Sequence, residues 1–160
     1  IPQMSGVPIT LNLIERLLAV YPNIIAGLKD SSGSWDNTAS VISAFPQIDT
    51  YSASESLIPE NVAAGGAGCI SASLNVNPAG IRALIDGLNG PNHQALHEQV
   101  SAVRKIFESL PLVPAIKAAV AQQRSDPEYA RVRPPFVDLA PEHADAISEA
   151  VLLAGSQTPR

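Results

Sequence analysis

The first half of the chain alternates two kinds of apolar pattern. Solid short runs, IIAGLKD (24–30), IDTYSAS (48–54) and AGCISASLNV (67–76), are separated by segments whose apolar residues recur at helical spacing. A solid run of that length predicts a strand covered on both faces. Between the runs, LNLIERLLAV (11–20) sets Leu13, Ile14, Leu17 and Leu18 on one face and keeps Glu15 and Arg16 off it. This predicts an amphipathic helix with Thr10 as its cap and Tyr21-Pro22-Asn23 as its stop. A second helix is predicted over SWDNTASVISAF (34–45), ended by Pro46, and a short one through LIPENVAAG (57–65), ended by Gly65 and Gly66. PAGIRALIDGLNG (78–90) has Pro78 where a helix begins and Gly90 just past where it ends.

Strands and helices in alternation, with connections of a few residues, predict parallel βα units. Counting Ile1-Pro2 as the tail of a further strand gives about four such units before residue 90. The rhythm then changes. Leu96, Val100, Val103, Ile106, Phe107 and Leu110 fall at helical spacing, and VPAIKAAVAQQ (113–123) and EHADAISEAVLLAG (142–155) predict two more helices. RVRPPFVDLAP (131–141) reads as a Pro-rich extended connector between them. Half the units of a closed parallel barrel leave two open edges, and the alternative arrangement is an open doubly wound sheet. No Gly-x-Gly-x-x-Gly follows any strand, so a dinucleotide fold gains little support.

Composition narrows the setting. The 160 residues are 46% hydrophobic and only 4% aromatic, which suits aliphatic helices packed on strands. A net charge of −5 without a basic run gives no footprint for nucleic acid or an anionic membrane. Cys69 is the single cysteine, which excludes an internal disulfide and fits a reducing, cytoplasmic setting. No apolar run approaches a membrane span, and the start lacks a signal-peptide pattern. The opening at Ile1, directly into IPQMSGVP, reads as a piece of a longer protein.

Ligands of parallel α/β folds meet the C-terminal ends of strands, here 2–6, 29–33, 52–56 and 71–75. These segments are small and hydroxyl-rich and contain no histidine, so neither a metal site nor a serine-hydrolase triad is expected there. His93 and His97 are spaced i, i+4 but lack a third ligand, which predicts a solvated helix face. No organic cofactor or metal is expected. Lys29, one of only three lysines, ends an apolar run against Asp30 and a Ser-Ser-Gly turn. Two readings stay open at this point. Lys29 is a structural strand-end lysine that pairs with Asp30 or snorkels to water. Alternatively it is an amine that adds to a ketone, giving an imine that serves as an electron sink for the adjacent carbon–carbon bond. The second reading needs a desolvated, neutral amine, and the middle of a closed barrel would supply that. Serine hydroxyls and backbone N–H groups at the strand ends would then hold the carboxylate of a 2-oxo acid. Ser31 and Ser52 are candidates that serve equally well as turn residues. Tyr51 alternates with Ser52 and reads as a packing residue.

GLKDSSG (27–33), IPQMSG (1–6) and GGAGCISASLNVNP (65–78) together resemble the dihydrodipicolinate synthase / N-acetylneuraminate lyase family. RPPF (133–136) extends the resemblance across the chain. These are pyruvate-dependent class I aldolases on a (βα)₈ TIM barrel with a C-terminal helical extension. The resemblance implies that residues 1–90 are the C-terminal half of such a barrel, about strands five to eight, and that 91–160 are the extension. It places the Schiff-base lysine at Lys29 and a pyruvate-holding backbone group at Ile70, with Ser71 beside it. It also implies a small 2-oxo acid as substrate, and a homo-oligomer or a missing N-terminal half as partner.

Two departures qualify that expectation. The family's catalytic tyrosine precedes IPQMSG on strand five, and its carboxylate pocket near strand two also lies outside the chain. Losing the acid–base group alone lowers such activity by roughly two to four orders of magnitude, so the chain by itself is expected to be inactive. Met4 stands where the dihydrodipicolinate-forming enzymes carry an arginine, and a thioether cannot pair with a carboxylate. That argues against this activity and for a lyase or aldolase acting on another 2-oxo acid, often a deoxy sugar acid in this family. The alternative from a different class is a non-catalytic half-barrel that associates through its open strand edges.

Overall fold

A computed structural model describes residues 1–156. The chain divides into two compact units, Ile1–Ile70 and Ser71 onward.

In the first unit, helix α2 (Leu11–Val20) begins where the sequence places it, with the Thr10 hydroxyl accepting from the Leu13 amide at 3.2 Å. Strand β1 (Gly27–Asp30), helix α3 (Trp35–Ala44), strand β2 (Asp49–Ser52), a 3-10 turn (Glu55–Leu57), helix α4 (Ile58–Ala63) and strand β3 (Gly68–Cys69) follow. The sheet has the order β1-β2-β3, and both pairings are parallel, with Lys29 beside Tyr51 and Tyr51 beside Gly68. Ile14, Val41, Phe45 and Ile48 form its core, with Leu18 and Leu28 packed against them.

Three expectations need correction. Ile1-Pro2 is not the tail of a strand. Pro2–Ser5 instead forms one helical turn, α1, ended by Gly6 at φ 68. Proline fits the first helical position because its missing N–H would be unpaired there, and glycine reaches the left-handed stop without a Cβ clash. The sheet therefore has three strands among the described residues and does not close. The strands are also shorter than their apolar runs and are not covered on both faces. Leu28 and Asp30 turn inward, whereas Gly27 and Lys29 are exposed. Asn23 in the left-handed region (φ 66) delays β1, and the run after Cys69 bends into a 3-10 turn at Ser73–Asn75.

One buried amide ties the short β3 to the sheet. Asn61 on α4 is fully buried; its Oδ1 accepts from the Gly68 amide at 3.0 Å and its Nδ2 donates to the Thr50 carbonyl at 3.4 Å. A Cβ at Gly66 would collide with this side chain, which explains the second glycine of the Gly65-Gly66 pair.

The second unit is helical. Helix α5 (Pro78–Gly87) is capped by Asn77, and α6 (His93–Glu108), α7 (Leu112–Arg124) and α8 (Ala144–Ser156) follow. Val103 and Phe107 of α6, Ala115, Ile116 and Ala119 of α7, and Ile147, Ala150 and Ala154 of α8 share one core with Val76. Small alanines let these helix faces approach closely around the Phe107 ring. Residues 131–140 carry neither helix nor strand, as the proline-rich pattern predicts. No helix among the described residues is long and apolar enough to cross a membrane.

Asn61→Ala is expected to lower unfolding free energy by about 1–3 kcal/mol, because the buried Gly68 amide loses its acceptor. Val62→Ala, on the exposed neighbour, should stay within about 0.5 kcal/mol. Urea denaturation of the two variants beside the parent checks both values.

Candidate active site

The end of β1 is built around one carboxylate. Asp30 is buried, and its Oδ2 accepts from the Thr38 hydroxyl at 2.6 Å, the Asn37 amide at 3.0 Å and the Ser32 hydroxyl at 3.1 Å. Its Oδ1 accepts from the Ser32 backbone N–H at 2.8 Å. The local sequence dictates this arrangement. An aspartate followed by Ser-Ser-Gly folds back on its own backbone as an Asx turn, and the Ser34 hydroxyl caps α3 by accepting from the Asn37 backbone N–H at 3.3 Å. That cap brings Asn37 and Thr38, in the first turns of α3, over the carboxylate. Burial pushes the Asp30 carboxyl up, but the hydrogen bonds from Thr38, Asn37 and Ser32 together outweigh it. The group is held below its ordinary 3.8. From the other side, Gln3 of α1 donates to the Ser32 carbonyl at 2.6 Å, tying the amino-terminal turn to the same loop.

Asp30 fixes where Lys29 goes. Side chains alternate along a strand, so anchoring Leu28 and Asp30 toward α3 turns Lys29 to the opposite face. The parallel register sets Lys29, Tyr51 and Gly68 in one row on that face, and Asp30, Ser52 and Cys69 in a row on the other. Lys29 is exposed in this open sheet, whereas the desolvated amine of the second reading needs a closed barrel. The reason is topological. β1 is an edge strand of a three-stranded sheet, and no enclosing wall forms.

The other expected site residues divide. Ser31 follows Asp30 directly and is partly buried. Ser52 is fully buried on the face opposite Lys29; its hydroxyl donates to the Ser54 carbonyl at 3.1 Å and lies 3.5 Å from the Gly68 carbonyl. Ile70 donates its amide to the Ser52 carbonyl at 2.9 Å and is 46% exposed at the end of β3. Two strand spacings separate β3 from β1, which is about 10 Å across the sheet. Ser71 opens the second unit, where its hydroxyl lies 3.0 Å from Ser73 Oγ and accepts from Arg104 of α6 at 3.4 Å. A pocket of about 70 Å³ lies beside β1, lined in part by Ile1, Pro8, Ile9, Leu28, Lys29 and Asn37. It has room for about two waters rather than for a ligand.

Sequence reasoning singled out Lys29 but missed Tyr51 beside it and two residues that hold Asp30. Tyr51 read as a packing residue, and only the register shows it directly beside Lys29. Asn37 and Thr38 read as helix interior. The signal that finds them is the D-S-S-x-S-x-x-N-T spacing, which pairs an Asx turn with a helix cap.

Because the Asp30 carboxyl sits lower in the folded chain than in the unfolded one, its contribution to stability is present above the unfolded value. It is lost as pH falls through the folded value. Asp30→Asn is therefore expected to flatten the acid-side fall of stability below pH 3.8. Thr38→Val, which removes the shortest of these hydrogen bonds, should raise the Asp30 pKa and cost about 1.5–3 kcal/mol at neutral pH. Carboxyl NMR titration and urea midpoints across that pH range check both.

Comparison with known proteins places this geometry in a family. The model of the dihydrodipicolinate synthetase family matches residues 1–153. An uncharacterized DapA-like lyase of Chloroflexus aurantiacus is 36% identical over 159 residues, covering 98% of this chain and 53% of that protein. The 4-hydroxy-tetrahydrodipicolinate synthase of Thermomicrobium roseum is 30% identical over 156 residues, covering 94% of this chain and 50% of that enzyme. The chain thus spans about half the length of the curated relatives it matches. Among solved structures, dihydrodipicolinate synthase from Agrobacterium tumefaciens superposes with a TM-score of 0.79 at 26% identity, over 99% of this chain and 52% of that one. A catalytic-lysine mutant of the Ruminococcus gnavus sialic acid aldolase shares the fold at a TM-score of 0.83 and 20% identity, over 98% of this chain and 52% of that one. With the family model covering nearly its whole length, the chain belongs to the dihydrodipicolinate synthetase family.

Proposed function

We propose that the chain carries the imine-forming lysine of a class I lyase or aldolase that makes or breaks the carbon–carbon bond next to a 2-oxo acid of the pyruvate type. The observation that carries this reading is the placement of Lys29. It stands at the end of a parallel strand, on the free face of the sheet, and the Asp30 network holds the backbone that presents it. One protein that shares the fold acts through a catalytic lysine. In the proposed reaction the Lys29 amine adds to the keto carbon and water leaves. The resulting iminium takes up the electron pair of the bond between the third and fourth carbons as the hydroxyl on the fourth loses its proton, which releases an aldehyde and leaves an enamine. Protonation of the enamine and hydrolysis then free pyruvate and the lysine, and the reverse sequence makes the bond. The Ser31 hydroxyl and the Ile70 backbone are the groups proposed to hold the 2-oxo acid. Ser52 contributes from beneath, by fixing the Ile70 amide and the β3 backbone.

In this reading residues 1–90 supply the C-terminal half of a (βα)₈ barrel and 91–160 its helical extension. The exposed edge of β1 pairs with a strand from elsewhere, either the remainder of a longer protein or a second copy of this chain. Two observations support the need for that partner. Lys29 is exposed, and the adjoining pocket of about 70 Å³ falls short of the several hundred typical of ligand sites. Met4, 74% exposed on α1, cannot form the ion pair an arginine would offer a second carboxylate. The reaction is accordingly proposed to be a lyase or aldolase reaction of a 2-oxo acid other than dihydrodipicolinate formation.

Intact mass after incubation with pyruvate and sodium borohydride tests the proposal, with Lys29→Ala alongside. One reduced pyruvyl adduct, absent from Lys29→Ala, is expected once upstream residues complete the barrel, with little or none on the 160-residue chain. Absence of the adduct from both forms, or equal labelling of Lys29→Ala, overturns the assignment.

A further inference from the structure

We infer that the second unit carries a binding site of its own, for a small organic acid with an apolar body, in the groove along α7. The groove has a volume of about 430 Å³, within the range of small-molecule sites. Val113, Lys117, Val120 and Arg124 line it from α7 at spacings of four, three and four residues. Those intervals put all of them on one stripe of the helix. Tyr129, from the 3-10 turn Pro127–Ala130 that follows α7, closes one end, and Asn75 lies in the wall.

The chemistry of the lining is one-sided. No aspartate or glutamate contributes to it. Lys117 and Arg124 have no carboxylate within ion-pair distance among the described residues, although acidic side chains outnumber basic ones in the chain by 15 to 10. Lys117 is partly buried and shares the groove wall with Val113 and Val120. A cation beside apolar walls attracts an anion more strongly than one in bulk solvent does. The Arg124 guanidinium lies 5.5 Å from the centre of the Tyr129 ring, a stacking that restricts it while leaving its N–H groups in the ring plane available. Seven residues of helix separate the two cations, about 10 Å along the axis. A carboxylate held at Lys117 therefore leaves room for an apolar body along Val120 toward the Tyr129 ring. Inorganic anions satisfy only the charge, and neutral apolar molecules only the walls. An organic acid satisfies both. The site uses residues of the second unit alone and does not depend on the role of Lys29.

Titration of the chain with three probes tests this, read by NMR shifts of the Val113 and Val120 methyl groups. The probes are hexanoate, its neutral counterpart hexanamide, and inorganic phosphate. Hexanoate is expected to move both methyls saturably, with hexanamide and phosphate weaker by about tenfold or more, as loss of one charge-assisted contact implies. Lys117→Met, which keeps the apolar stem, should weaken hexanoate by a similar factor while the rest of the methyl spectrum stays unchanged. Lys117→Gln, which also removes the charge, gives an independent reading should Lys117→Met disturb folding. Equal binding of hexanoate and hexanamide, unchanged hexanoate binding in the variants, or no saturable shift at these methyls overturns the inference.

Discussion

The buried carboxylate of Asp30 is the constraint on which the candidate site depends. An ionised group withdrawn from water must be met by donors. The Ser32 backbone and the Ser32, Asn37 and Thr38 side chains meet it from both the turn and the following helix. One side chain thereby sets the strand end, the turn and the entry of α3. Lys29 has no say in its own orientation. The residues on either side of it are held toward α3, and the strand's alternation turns its amine to the open face.

That reversal explains which parts of the site were legible in the sequence. Helix boundaries were readable because their signals are local: Thr10 caps α2 and Pro78 opens α5 as their positions suggest. Lys29 was readable because a scarce lysine ends an apolar run. Its surroundings were not. Apolarity alone does not distinguish a strand covered on two faces from one covered on one face, and 24–30 and 67–76 were both read as more strand than forms. Ile1-Pro2 misled because a proline suits the edge of a strand and the first turn of a helix equally well; Gly6 decides between them. The neighbours of Lys29 come from register, a long-range property. Tyr51 therefore became visible only in the sheet, and Ser52 was grouped with Lys29 although one residue of parity sends it to the other face.

Family membership and an enclosed site stand apart here for a physical reason. The family model spans nearly all of this chain, yet the chain spans about half of its curated relatives. A parallel sheet with an open edge strand holds its residues in the family's order without enclosing them. The helical unit has a core of its own around Phe107, and its α7 groove is lined by residues of that unit alone.

Amide hydrogen exchange of Asp30→Ala against the parent chain at neutral pH measures the anchor itself. The account predicts faster exchange at the Ser32 amide and along Gly27–Asp30, with the helices around Phe107 unaffected. Unchanged protection of β1 and of the Ser32 amide after loss of the carboxylate would contradict it, and would mean that something other than Asp30 holds Lys29 in place.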